Sequence, residues 1–169
     1  MIVSSPIFSQ ALLSRVEDAG LNASAPPQQR WIDGWLVRFC PGKAKRARCV
    51  NAVALGRLSI EHRLELCQNV LAQAQLPLVV RITPFSQPET LDQQLDALGL
   101  QTLDDTRVMV CANLTAKAPE PRTEGLTMVR LGHAAFAQAV GHLRGSPISQ
   151  QQAHAQRLEL SPVPFEGWA

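Results

Sequence analysis

The densest cluster of side chains able to hold an anion is Lys43, Lys45, Arg46 and Arg48, which follows Trp31 and Trp35 in the chain. Cations next to aromatic rings make an anion site for a phosphate-bearing ligand or a nucleic acid. The same spacing also describes a solvated hairpin whose alternate positions face water. With four charges and no supporting basic stripe elsewhere, nucleic acid is the weaker partner. A second candidate is Gly56-Arg57-Leu58-Ser59, between a strand-like and a helix-like segment, where backbone N–H groups at a helix N-terminus take up phosphate. Phosphate loops use several glycines so that the backbone can approach the oxygens, and this segment has one. An ordinary helix start capped by Ser59 is the competing reading.

Other reactive side chains form no recognisable constellation. His62, His133, His142 and His154 stand at neither metal nor triad spacing. Ser86, Ser146 and Ser149 lack the G-x-S-x-G context of a hydrolase nucleophile. Glu61, Glu65, Asp92, Asp96, Asp104 and Asp105 lie in or beside helical segments, where a solvated face explains them. Cys40, Cys49, Cys67 and Cys111 contain no CxxC pair, so they read as reduced structural thiols rather than as zinc ligands or a disulfide framework. No tyrosine is present to act as a general acid. The residues alone assign no catalytic group and no metal site.

The elements that position these residues must come from a chain of 169 residues, enough for one substantial core. Hydrophobic residues make up 46% and charged residues 18%, which excludes a chain too polar to fold. The formal net charge of +2 lacks the excess of a dedicated nucleic-acid binder. No apolar run reaches the ~18 residues of a membrane span, and the first residues lack a signal-peptide pattern, so the expectation is a cytoplasmic protein without a membrane partner.

Ser5-Pro6 reads as a helix start, with Ile7, Phe8, Ala11, Leu12 and Val16 at helical spacing and Gly20 as the stop. A loop over 22–29 precedes a strand over 31–39, a turn at Cys40-Pro41-Gly42-Lys43 and a second strand over 46–55. Ser59 then caps a helix whose apolar stripe is Ile60, Leu64, Cys67, Leu71 and Ala74. Residues 78–82 read as a buried strand, Leu91, Leu95 and Leu98 as a short helix ended by Gly99, and 106–112 as a further strand. The order from Arg46 is strand, helix, strand, helix, strand, which implies an α/β layered domain. Residues 117–125 are a polar, proline-containing linker. A second unit begins after it, with a strand over 126–131, a helix over 134–143, and another Ser-Pro start at Ser146-Pro147 leading into a helix over 150–160. The sequences Ile32-Asp33-Gly34-Trp35-Leu36 and Phe165-Glu166-Gly167-Trp168-Ala169 form a weak five-position repeat.

The run Asp33-Gly34-Trp35-Leu36-Val37-Arg38, then Lys45-Arg46-Ala47-Arg48-Cys49-Val50-Asn51, and Arg81-Ile82-Thr83-Pro84-Phe85-Ser86-Gln87-Pro88 with Leu91-Asp92 and Leu98-Gly99, resembles the N-terminal half of tandem bacterial GNAT-superfamily N-acetyltransferases. The likeness covers 31–109. It implies a GNAT-like layered mixed β-sheet flanked by helices over 1–116, and an incomplete second GNAT-like unit over 126–169. The implied activity is transfer of an acetyl group from acetyl-CoA to a primary amine on a small molecule or peptide. Gly56, Arg57, Leu58 and Ser59 match the cofactor loop, and Trp35, Arg46 and Arg48 would contact the acceptor or the nucleotide end of CoA. The family's Arg/Gln-x-x-Gly-x-Gly/Ala loop keeps only one glycine here, so this half reads as degenerate and the active loop is expected outside the sequence. The alternative is a catalytically inactive pseudo-acetyltransferase that binds a partner. Homo-oligomerisation would follow if the docking face for a second unit were exposed.

Overall fold

The computed structural model describes residues 8–110 and 125–169, in which five helices and two small sheets form a mixed α/β structure. Helix α1 (Gln10–Ala23) starts at Ser9, whose hydroxyl accepts from the Leu12 N–H at 3.2 Å. The Ser5-Pro6 start lies outside the described residues. Gly20 does not stop this helix, since one interior glycine costs only about 1 kcal/mol relative to alanine. Ser24 ends it instead, with its hydroxyl on the Gly20 carbonyl at 2.7 Å.

The strand expected over 31–39 is a hairpin. Strands β1 (Gln28–Ile32) and β2 (Trp35–Phe39) pair antiparallel, with Ile32 opposite Trp35. Asp33 at φ 42° and Gly34 at φ 85° make the two-residue left-handed turn whose twist suits a hairpin. The expected loop over 22–29 is correspondingly shortened. The second strand, expected over 46–55, shrinks to β3 (Val50–Ala52), antiparallel to β2. At its start Lys45–Ala47 coil into a 3-10 turn, and at its end residues 53–58 are drawn away to the hairpin turn. Helix α2 (Ile60–Gln73) follows, with the Ser59 hydroxyl accepting from the His62 N–H at 3.3 Å. It crosses over to β4 (Val80–Arg81), which lies parallel to β3. Helix α3 (Leu91–Ala97) ends at Gly99, with the Leu100 N–H on the Leu95 carbonyl at 3.0 Å. Residues 106–110 form no strand and 106–109 are exposed; 111 and 112 fall outside the described residues. Most of the 117–125 linker is also outside them.

After Gly125 the strand expected over 126–131 is confined to β5 (Arg130–Leu131). Helices α4 (His133–Leu143) and α5 (Ile148–Glu159) pack against each other and lead to β6 (Gly167–Trp168), antiparallel to β5. Phe136 and Phe165 pack at 5.1 Å between ring centroids at the centre of this unit.

Alternation along the four-stranded sheet divides its faces. One face carries Trp35, Val37, Val50 and Ala52 against Ile60, Leu64, Cys67 and Leu71 of α2 and Leu91 and Leu95 of α3, forming the apolar core. The other carries Arg38, Asn51 and Arg81 beneath α1. Arg38 is 3% exposed and donates to the Leu21 carbonyl at 3.0 Å. Arg81 forks onto Glu17 of α1, with Nη2 to Oε2 at 2.9 Å. Hydrogen bonding from Arg81, reinforced by its charge and those of Arg46 and Arg38, holds the Glu17 carboxyl below the ordinary value. This helix buries no residue fully, so the ion pair is a principal tie to the sheet.

Glu17→Gln should therefore lower stability at pH 7 by about 1.5–3 kcal/mol, the range for a charged hydrogen bond. A carboxyl with a depressed folded pKa contributes fully above its unfolded value and loses that contribution as pH falls through the folded one. Urea melts of wild type and variant should converge as pH drops below 4.5, the ordinary glutamate value. A difference that persists unchanged in acid would show that α1 is held by other contacts.

Candidate functional site

The loop between β3 and α2 is shaped by the hairpin turn lying against it. Ala54 N–H donates to the Gly34 carbonyl at 2.9 Å, which folds residues 53–58 around the turn. A Cβ on Gly34 would stand 2.8 Å from the Ala54 carbonyl oxygen, so both its φ and this approach require glycine. The Asp33 side chain then reaches the start of α2. Its carboxylate accepts from Arg57 N–H at 2.8 Å and from Leu58 N–H at 2.8 Å. Those two N–H groups lie just before the Ser59 cap and the first helical residue, Ile60. The chain meets them with its own anion.

Gly56 fits the same arrangement. A Cβ there would fall 2.2 Å from Asp33 Oδ2 and 2.4 Å from the Asp33 carbonyl, so the glycine makes room for Asp33 rather than for a ligand. The Arg57 and Leu58 N–H bonds, helped by the charges of Arg63 and Arg57, hold the Asp33 carboxyl below the ordinary aspartate value. Ser59 serves as the cap of α2. Arg57 and Leu58 contribute backbone, and their side chains are exposed.

Arg63 completes the assembly. It is 4% exposed, its Cζ lies 4.6 Å from the Trp35 ring centroid, and its Nε is 3.8 Å from Asp33 Oδ2. That separation is an ion pair and too long for a hydrogen bond. Arg63 Nε and Nη1 and Trp35 Nε1 have no hydrogen-bond partner among the described residues. Trp35 is fully buried with Arg63 over its ring, a position from which it cannot touch an acceptor in solution. Of the basic cluster, Lys43 and Lys45 are exposed while Arg46 and Arg48 are half-buried, all on the turn between β2 and β3. Arg46 is directed to the Glu17 side of the sheet, so the structure does not bring it together with the Gly56 loop.

Among the histidines, His133 Nδ1 meets Glu159 Oε2 at 2.7 Å, and His62 and His142 are exposed. Cys40, Cys49 and Cys67 are free and buried, and burial pushes the Cys67 thiol up to about 11; Cys111 lies outside the described residues. No group of three or more His, Cys, Asp or Glu side chains is placed to hold a metal ion among the described residues. No helix among them is long and apolar enough to cross a membrane.

Asp33 and Arg63 were missed by reasoning from composition of the loop alone. Asp-Gly between β-forming segments is a hairpin signal. Arg63 interrupts the apolar stripe of α2 at the position three residues after Ile60, a signal of a buried cation. At this loop the Arg57 and Leu58 N–H groups are bonded internally and the single glycine is packed on Asp33. Comparison with family models, curated proteins and solved structures found no match to this chain.

Asp33→Ala should free the Arg57 and Leu58 N–H groups, and amide hydrogen exchange should show their protection falling while that of the middle of α2 is kept. Retained protection at both amides in the variant would show that the carboxylate does not hold the loop.

Proposed function

We propose that this chain is of the GNAT acyltransferase type and that its first unit, built on β1 to β4 with α2 and α3, is a non-catalytic binding unit. The element order supports the type: three antiparallel strands, a crossover helix, then a strand parallel to the third, with a helix N-terminus beside the end of that third strand. The observation that carries the non-catalytic reading is the Asp33 carboxylate on the Arg57 and Leu58 N–H groups, where the pyrophosphate of acetyl-CoA would otherwise bind. A second anion brought to that point meets both the occupied donors and the charge of Asp33.

The second unit has the order strand, helix, helix, strand, and its Gly167-Trp168 strand repeats the Gly34-Trp35 start of β2. This supports the tandem arrangement that the sequence resemblance implies. Acetyl transfer from acetyl-CoA to a primary amine would then be carried out away from the Gly56 loop, with the first unit contributing surface rather than chemistry.

Isothermal titration of the full chain with CoA tests this directly. The expected result is no saturable binding at the Gly56 loop up to about 1 mM, against the ~1 µM affinity useful to an enzyme. Binding near ~1 µM that shifts the Arg57 and Leu58 amide resonances would overturn the non-catalytic reading and restore the loop as a cofactor site.

A further inference from the structure

A cavity of about 290 Å³ lies where the turn after β2 meets the α4–α5 hairpin. Cys40, Gly42, Lys43 and Ala44 line one side, and α4 and α5 the other. The turn sits close to α5, since a Cβ on Gly42 would lie 3.7 Å from the Ala153 methyl carbon. Arg157 of α5 also reaches back to the first unit, donating to the Ala23 carbonyl at 3.3 Å. The cavity is therefore formed by segments far apart in the sequence.

Its charge is one-sided. Lys43, Arg144, His154 and Arg157 all line it, and no Asp or Glu does. Lys43 and Arg144 are exposed at the rim, whereas His154 and Arg157 are half-buried. Neither Lys43 nor Arg144 forms a salt bridge among the described residues. Gln150 and Gln151 from the first turns of α5 add neutral polar lining. Cations gathered in a concave site with low-dielectric walls focus a positive potential that an anion relieves. Arginine forks match a phosphate group in two parallel hydrogen bonds, and a lysine adds a point charge.

We propose that this cavity is a binding site for a small phosphate monoester, with the phosphate held by Lys43, Arg144 and Arg157 and with His154 as a further donor. The volume is at the small end of the ~300–1,000 Å³ range of ligand pockets, which suits a compact phosphorylated molecule rather than a long cofactor. Burial first, then the charges of Arg157 and Arg144, push the His154 imidazole below its ordinary value. A dianion among these groups offsets the arginine charges and favours the protonated ring, so His154 reports occupancy.

This site does not rest on the acetyltransferase reading, and its test is separate from the CoA titration. The full chain is titrated with inorganic phosphate and with glycerol 3-phosphate, following the His154 ring signals by NMR. The expected result is saturable binding, tighter for the monoester, with the His154 pKa raised. Arg144→Gln combined with Lys43→Gln should weaken binding by about tenfold or more while leaving the melting temperature within a few degrees. Both substitutions are at exposed positions, so the folded chain remains available for the measurement; Arg157→Gln supplies an independent check from the inner wall. Absence of saturable movement of the His154 signals, or equal affinity in wild type and variants, would overturn the proposal. Binding of inorganic phosphate with no gain from the monoester would also overturn it, by showing a general anion site.

Discussion

The Asp33 carboxylate ties the β1–β2 turn to the loop that leads into α2. A helix start presents several N–H groups with no partner inside the helix, together with the positive end of its dipole. In a free loop these are open to an external anion. Here the left-handed turn at Asp33 and Gly34 places the carboxylate on the Arg57 and Leu58 N–H groups just before the Ser59 cap, Gly56 leaves room for it, and Arg63 adds a buried cation on the side of Trp35. That contact, with the Ala54 N–H on the Gly34 carbonyl, holds residues 53–58 against the hairpin turn.

The two faces of the sheet are stabilised differently. Against α2 and α3 the contacts are apolar, and Trp35, Val37, Val50, Cys67, Leu71 and Leu91 are almost wholly excluded from water. Against α1 they include, beside buried Leu36, a hydrogen bond from Arg38 and the Arg81 fork on Glu17. An apolar face tolerates changes of pH, whereas an ionic face weakens when its carboxylate is protonated. Acid should loosen the α1 side before it disturbs the core.

Several features were legible in the sequence because they depend on near neighbours. Helix α2 with its Ser59 cap, the stop at Gly99, and the α4 and α5 segments follow from capping residues and helical spacing. Strand limits were not, because they depend on pairing between distant residues. Residues 31–39 contain enough β-forming side chains to read as one strand, and only the Asp33-Gly34 pair shows the hairpin. Residues 46–55 read as one strand because nothing local reveals that their ends are claimed by a 3-10 turn and by the hairpin. Gly56, Arg57 and Leu58 lie between a strand and a helix, but the carboxylate bonded to that loop comes from 24 or 25 residues earlier in the chain. The cavity-lining residues Lys43, Arg144, His154 and Arg157 are likewise separated by up to 114 positions, and no spacing rule connects them.

The Asp33 carboxylate is an internal anion bound on the loop that leads into α2. The most direct measurement is the titration of the Asp33 side-chain carboxyl carbon by NMR in the intact chain, alone and with CoA present. A midpoint below 3.8, the ordinary aspartate value, is expected because protonation must break the bonds from Arg57 and Leu58, and the same midpoint is expected with CoA. A midpoint at or above 3.8, or one that moves when CoA is added, would contradict it and show that the loop is open to an external ligand.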